Sequence, residues 1–126
     1  MEDLIVVGSK GQFFIPSVSF IVETGMCEIT GESFLEDTAH FYNPLIQWLK
    51  GYTETKRPLN FAFKLTYFNT SSSRCILDIL NILKVYRASV PGVNLSWHFD
   101  KKDRDMKEEV EDFMIEAGVE IELVPH

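Results

Sequence analysis

Residues 59–73, LNFAFKLTYFNTSSS, decide the fold class because a strand pattern gives way to a helix pattern within them. Apolar side chains alternate with smaller or polar ones from Leu59 to Tyr67, the two-residue period of a β-strand with one buried face. From about Ser71 to Arg87 apolar residues recur every three or four positions, which predicts an amphipathic helix. A strand that leads into a helix is the unit from which parallel sheets are built.

The pattern continues on the carboxyl-terminal side with two more strands and one more helix. After a turn at Pro91-Gly92, residues 93–99 alternate as a strand. Residues 106–117 have helical periodicity, and Gly118 is placed to end that helix. Residues 119–123 alternate again and predict a last strand at one edge of the sheet.

One further helix precedes the central strand. It is predicted by five apolar residues at helical spacing, namely Phe41, Leu45, Trp48, Leu49 and Tyr52. The pair Asn43-Pro44 leaves two beginnings open. Either Asn43 caps the helix and Pro44 takes its first position, or the helix starts earlier and bends at the proline.

The amino-terminal third predicts an antiparallel hairpin. Residues 18–22 and 26–30 read as short strands, and Gly25 between them is free to adopt the positive φ of a tight turn. Residues 4–7 and 13–15 are candidates for an additional edge strand. The fold expected is therefore a single α/β domain over residues 1–126, with a mixed, mostly parallel sheet, an N-terminal antiparallel hairpin and about three helices.

Composition excludes several classes of function. The 126 residues carry 12 basic and 19 acidic side chains, a formal charge of -7, which argues against nucleic acid as a partner. No apolar run is long enough to span a membrane. The two cysteines, Cys27 and Cys75, form no CxxC motif, so we expect reduced thiols in a cytoplasmic protein. Nucleotide-binding and nucleophile-elbow motifs are missing and the three histidines are scattered, so we expect neither an enzyme nor a cofactor or metal.

The loop Asn69-Thr70-Ser71-Ser72-Ser73 is the part of the chain with the most distinctive chemistry. It places one amide and four hydroxyl groups at a helix N-terminus, directly after a buried strand. One such residue suffices to cap a helix. The free N–H groups and the positive end of the helix dipole also favour a phosphate at this position. Both a simple cap and a phosphorylation site fit the residues alone.

At this loop the sequence resembles the SiaC family of bacterial regulatory phosphoproteins. Residues 65–72, LTYFNTSS, match the YxNTSS signature of that family, and further matches extend over nearly the whole chain. They are Gly31-Glu32-Ser33-Phe34, Phe41, Pro44, Trp48-Leu49 and Val93-Asn94-Leu95-Ser96-Trp97. The family is similar in layout to the STAS domains of anti-sigma-factor antagonists, which carry Asp-Ser where this chain has Asn69-Thr70.

The resemblance implies a partner-switching protein without enzymatic activity. In SiaC-like proteins the unmodified form binds and activates a diguanylate cyclase, in c-di-GMP signalling and biofilm regulation. A serine/threonine kinase phosphorylates the loop threonine, which is Thr70 here, and a PP2C-type phosphatase removes the phosphate. Two alternatives stay open: an anti-sigma factor antagonist that binds an anti-sigma kinase, and a domain that binds a small ligand at the strand ends.

The residues around Thr70 predict a docking surface. Thr70, Arg74, Leu77 and Asn81 lie on one face of the predicted helix, away from its buried stripe. Leu77 is thus either an apolar anchor for a partner or packed on a neighbouring element. The expected contact residues are Asn69, Ser71, Ser72, Arg74, Leu77 and Asn81.

Overall fold

A computed structural model describes all 126 residues. A six-stranded sheet with the order β1-β4-β5-β6-β7-β8 is accompanied by a separate two-stranded ribbon, β2-β3, and three helices. Strands β5 to β8 are parallel, whereas β1, β4 and β5 pair antiparallel, so the α/β fold class and the N-terminal hairpin are confirmed. The strands are β1 Leu4–Val6, β2 Ser9–Lys10, β3 Phe14–Ile15, β4 Ser17–Phe20, β5 Met26–Ser33, β6 Leu59–Phe68, β7 Val93–Phe99 and β8 Glu122–Pro125, and the helices are α1 Thr38–Thr53, α2 Thr70–Ser89 and α3 Arg104–Ala117.

The molecule has two layers, with the helices on one face of the sheet. The four parallel strands lie in chain order, and right-handed crossovers between such strands place every helix on the same face. Between the layers lies a core of 29 buried apolar residues, among them Phe63, Trp97 and Leu83. The opposite face is polar and carries a Lys64–Glu28 ion pair with an N···O distance of 3.1 Å.

The first two strands and the next two form one interrupted hairpin. Leu4 lies opposite Phe20, and Lys10 lies opposite Phe14 in the same continuing register. The ladder is broken near Pro16, which has no N–H to donate, and Gly8 N donates to Ser17 Oγ instead, at 3.0 Å. Both candidate edge segments are therefore strands, but residues 14–15 belong to the ribbon and only residues 4–6 join the sheet.

Helix α1 resolves the choice left open at Asn43-Pro44. It begins at Thr38 with Asp37 as its N-cap, and Pro44 lies inside it, so the earlier start is correct. The Asp37 carboxylate accepts from His40 N at 3.1 Å, an interaction that favours a helix start. The sequence prediction also missed Tyr42, which is fully buried, and included Trp48, which is only half-buried.

A β-bulge near the end of β6 corrects one assignment in the strand that decides the fold. Gly31 pairs with Leu65 but Glu32 pairs with Tyr67, so Thr66 is an extra residue in β6. An extra residue reverses which side chains point inward beyond it. The prediction that Tyr67 is buried is therefore wrong: it is 45% exposed, while Phe68 packs against Trp97 and Phe113.

Several strand ends also differ from the prediction. Strand β4 stops at Phe20, because Ile21 already accepts from Gly25 N in the turn that leads to β5. Strand β8 begins only at Glu122, although Val119 and Ile121 are buried. Gly118 ends α3 with φ 67° as predicted, in the left-handed conformation that glycine adopts without steric cost.

Candidate functional site

The junction of β6 and α2 lies at the carboxyl edge of the sheet, where all four parallel strands end. Asn69 connects them and is the N-cap of α2. Its side-chain oxygen accepts from Ser72 N at 3.1 Å and from Ser72 Oγ at 2.6 Å, and its own N–H donates to Ser33 O on β5 at 3.2 Å. The single residue between strand and helix is thus attached to both layers of the fold.

A buried hydroxyl network supports this junction from below. Ser33 and Ser72 have no exposed surface. The Ser33 hydroxyl donates to Ser72 Oγ at 2.8 Å and lies 2.7 Å from the Tyr42 hydroxyl. Burial raises the pKa of Tyr42 to about 12, although its hydrogen bond with Ser33 acts in the opposite direction, so the phenol is neutral throughout the physiological range. The network joins β5, α1 and α2 and holds the start of α2 in place.

The hydroxyl groups of the loop differ in whether they are hydrogen-bonded within the chain. Ser71 Oγ is 2.8 Å from Thr38 Oγ1 and 3.3 Å from the Asn69 side-chain oxygen. Ser73 Oγ donates to Thr70 O at 2.7 Å. Thr70 is exposed, is the first residue of α2, and its hydroxyl has no hydrogen-bond partner in the chain. Of the four hydroxyls in residues 70–73, only that of Thr70 is both exposed and free to react.

Thr70 lies at one end of a shallow surface groove between α2 and α3. The groove has a volume of about 350 Å³ and is lined by Thr70, Ser71, Ser73, Arg74, Leu77, Phe113 and Glu116. Leu77 is half-buried, packs against the hydrophobic core and also lines the groove. Arg74 is exposed and forms no ion pair within the chain.

The expected contact residues are only partly brought together. Thr70, Ser71, Arg74 and Leu77 share the groove, whereas Asn81 lines a separate depression with Val85 and Lys56. Asn81 lies almost two helical turns beyond Arg74.

One further expectation for the loop is corrected, because side-chain direction was not visible in the sequence. Ser72 cannot contact a partner in this fold, because its side chain is fully buried and hydrogen-bonded. Asn69 is half-buried and uses its side-chain oxygen for the cap, and its place on a contact surface stays a prediction. We assign Ser72 to the support of the loop.

Neither cysteine is arranged as a nucleophile or metal ligand. Both are free thiols, as expected; Cys27 is buried and Cys75 half-buried. Burial raises the pKa of both thiols, which disfavours the reactive thiolate. No group of three or more histidine, cysteine or acidic side chains has the arrangement of a metal site. The helices of this chain are too short or too polar to cross a bilayer.

Fold and site together define a two-layer α/β protein that presents an unbonded threonine at the start of a helix, beside a groove with one free arginine. The chain belongs to the SiaC family: a profile described as SiaC family regulatory phosphoprotein matches residues 9–126. It is thus a member of a family of regulatory phosphoproteins, and the resemblance found at residues 65–72 is confirmed.

Relatives of similar length support this assignment. An uncharacterised protein of Pseudomonas aeruginosa strain UCBPP-PA14 is 26% identical over 127 residues, which is 100% of this chain and 98% of the relative. The crystal structure of apo-SiaC from Pseudomonas aeruginosa is 26% identical and covers 98% of this chain and 99% of its own, with a TM-score of 0.87. SiaC in complex with the diguanylate cyclase SiaD, which it activates, has a TM-score of 0.85 at 24% identity and covers 96% and 100% of the two chains. The last comparison shows the same fold.

Proposed function

We propose that this chain is a non-enzymatic partner-switching protein that binds and activates a diguanylate cyclase, and that phosphorylation of Thr70 weakens this binding. A serine/threonine kinase adds the phosphate and a PP2C-type phosphatase removes it. The protein acts in the cytoplasm, where c-di-GMP is made, and regulates biofilm formation through that messenger. The contact surface is the groove between α2 and α3, with Arg74 and Leu77 as its central residues.

The observation that carries the proposal is the free, exposed hydroxyl of Thr70. A kinase needs an accessible hydroxyl to transfer phosphate to, and the three serines that follow are hydrogen-bonded within the chain. Membership of a family of regulatory phosphoproteins supports a phosphorylation site in this chain. The SiaC protein of similar fold that activates the cyclase SiaD supports the class of target.

The proposed switch is electrostatic and acts on the contact surface. A phosphate adds about 1.5 to 2 negative charges at pH 7 and three strong hydrogen-bond acceptors. The first N–H groups of α2, on Thr70 and Ser71, have no partner in the chain, and anions are stabilised at a helix N-terminus. Arg74 lies one turn further along the same groove. These groups hold the phosphate without unfolding the helix, while the charge disfavours burial of Leu77 under a partner.

Phosphate mapping tests the assignment of Thr70. Incubation with the cognate kinase is expected to add one phosphate, and fragmentation mass spectrometry is expected to place it on Thr70. The T70A variant should accept none. The S73A variant is the matched control, since Ser73 lies one turn along the helix and bonds to Thr70 O; it should be phosphorylated like the parent. Phosphate on Ser71 or Ser73 of the parent protein would contradict the assignment.

Affinity for the purified cyclase tests the switch itself. The unphosphorylated protein and T70A should bind and stimulate cyclase activity, whereas the phosphorylated protein should bind more weakly. Circular dichroism should confirm that both forms are folded. Equal affinities of the two folded forms would overturn the proposal and leave Asn69-Thr70 as a helix cap.

The two alternative functions have distinct outcomes. Capture from native cells with T70A as bait is expected to recover a cyclase; recovery of an anti-sigma kinase instead would make the chain an anti-sigma factor antagonist. Native mass spectrometry is expected to show no mass beyond that of the polypeptide itself, because the groove beside Thr70 is open and shallow. A retained small molecule would favour the ligand-binding alternative.

A further inference from the structure

The two edges of the six-stranded sheet differ in their protection against pairing with another strand. Strand β8 carries an acidic residue, Glu122, and ends in Pro125, and such residues discourage edge-to-edge association. Beyond Pro125 the chain bonds back to the last residue of β7, through His126 N to Phe99 O, and to the loop that follows, through Lys101 N to His126 O. Strand β1, at the other edge, has the sequence Leu4-Ile5-Val6 and contains neither a charge nor a proline.

The outer side of β1 is available for hydrogen bonding. Its backbone hydrogen bonds connect it to β4, and none links it to a segment on its outer side. The strand continues in register into β2, so one arm of the hairpin, residues 4–10, forms a free edge. Two apolar side chains on this arm are open to solvent: Ile5 is 57% exposed and Val7 is 87% exposed. Apolar side chains beside free backbone groups are typical of a strand that pairs with another chain.

The sequence of this arm is complementary to itself in the antiparallel direction. Residues 2–10 read EDLIVVGSK, with acidic residues at one end, a lysine at the other and apolar residues between them. If Val6 lies opposite Val6 of a second copy, Ile5 faces Val7 of that copy and Glu2 faces Lys10. Directly opposite residues share a face of the sheet, and opposite charges there are favourable. A two-fold axis repeats each pair.

We propose that a second copy of this chain pairs with β1 about a two-fold axis, which joins the two sheets into one of twelve strands. A depression of about 380 Å³ on the helix side of β1, lined in part by Leu4, Val6, Ile15, Leu35, Phe41 and Pro44, continues the apolar surface beside the junction. Strands β4 and β5 separate β1 from β6, so pairing at this edge leaves the α2–α3 groove free. The dimer is therefore independent of the function proposed for Thr70.

Sedimentation equilibrium and light scattering over a wide concentration range test the dimer, with any tag at the carboxyl end so that residues 2–10 stay native. A dimer that dissociates on dilution is expected. V7K should weaken it roughly tenfold or more, because two lysines enter the apolar contact. V85K is the matched control, an exposed valine on α2, and should dimerise like the parent. A monomer at all concentrations, or equal dimerisation of parent and V7K, would overturn the proposal.

Charge reversal tests the antiparallel register. E2K and K10E should each weaken the dimer, because each places like charges opposite one another twice. The double variant E2K/K10E restores opposite charges at both places and should recover most of the parent affinity. The Glu2 backbone oxygen, which accepts from Trp48 Nε1 at 2.8 Å, is unchanged by these substitutions. Weakening by both single variants without recovery in the double variant would contradict this register.

Discussion

The four hydroxyl residues that begin α2 look alike in sequence but have different roles. Ser72 is buried in the network with Ser33 and Tyr42, and Ser71 bonds to Thr38 on α1. Thr70 alone is exposed and unbonded. This division of roles depends on side-chain direction in the first turn of the helix, where each residue is rotated by about 100° from the last.

Asn69 is expected to contribute more to stability than Thr70. The N69A variant removes a helix cap and leaves Ser72 Oγ and Ser72 N with fewer partners, so we expect a loss of about 2 kcal/mol in the free energy of unfolding. T70A removes an unbonded hydroxyl and should stay within about 0.5 kcal/mol of the parent. Urea unfolding followed by circular dichroism measures both. A larger loss for T70A than for N69A would mean that Thr70, not Asn69, is the cap.

At the scale of elements, helix α3 is notable for its acidic surface. Asp103 caps it by accepting from Met106 N at 3.0 Å. Partial burial and the neighbouring carboxylates of Asp103, Asp105 and Asp112 raise the pKa of Glu109 above its usual value. Ionisation of Glu109 is therefore less favourable in the folded protein than in the unfolded chain, and it opposes folding.

Neutralising Glu109 is expected to stabilise the protein in a pH-dependent way. Because its pKa is raised on folding, the favourable contribution of its protonated form is present at acid pH and lost as pH rises through that pKa. E109Q mimics the protonated form. Its free energy of unfolding should therefore exceed that of the parent by about 0.5 kcal/mol at neutral pH and equal it below the usual pKa of glutamate. E54Q is the control, since Glu54 follows a basic last turn containing Lys50. Thermal unfolding across pH measures the difference, and an equal gain for both variants would argue against carboxylate repulsion.

At the scale of the whole molecule, the helices cover one face of the sheet and the site lies at its carboxyl edge. The start of α2 is attached to β5 through Ser33 and to α1 through Thr38. A change at exposed Thr70 does not enter the core, and a negative charge is favourable at a helix N-terminus. We therefore expect modification there to alter binding while leaving the fold intact.

The T70D variant tests this separation of fold from binding. It should melt at or slightly above the parent temperature, because its carboxylate is close to the first N–H groups of α2. It should also bind the cyclase more weakly than the parent, but more strongly than the phosphorylated protein, since it has one charge and fewer acceptors. R74A is the companion variant, and even its unphosphorylated form should bind the cyclase more weakly than the parent. A T70D protein that binds normally while the phosphorylated protein does not would show that a carboxylate cannot replace the phosphate.

The sequence by itself determined the α/β class, the mostly parallel sheet, the three helices and the position of residues 69–73 at the junction of a strand and a helix. These features depend on local periodicity and on residues that begin and end helices, which a single chain segment displays. The limits of the sequence appear at Tyr67, which a bulge with β5 turns outward, and at Tyr42, which is fully buried with its hydroxyl bonded to Ser33.

Only the tertiary structure decided which polar groups of the site are free. Ser33, Tyr42, Ser72 and Asn69 come from distant parts of the chain, and their hydrogen bonds form only when β5, α1 and α2 pack together. The same holds for the groove, because its lining residues Leu77 and Phe113 belong to two different helices. Pairing between segments far apart in sequence depends on the whole set of core contacts, and no local pattern encodes it.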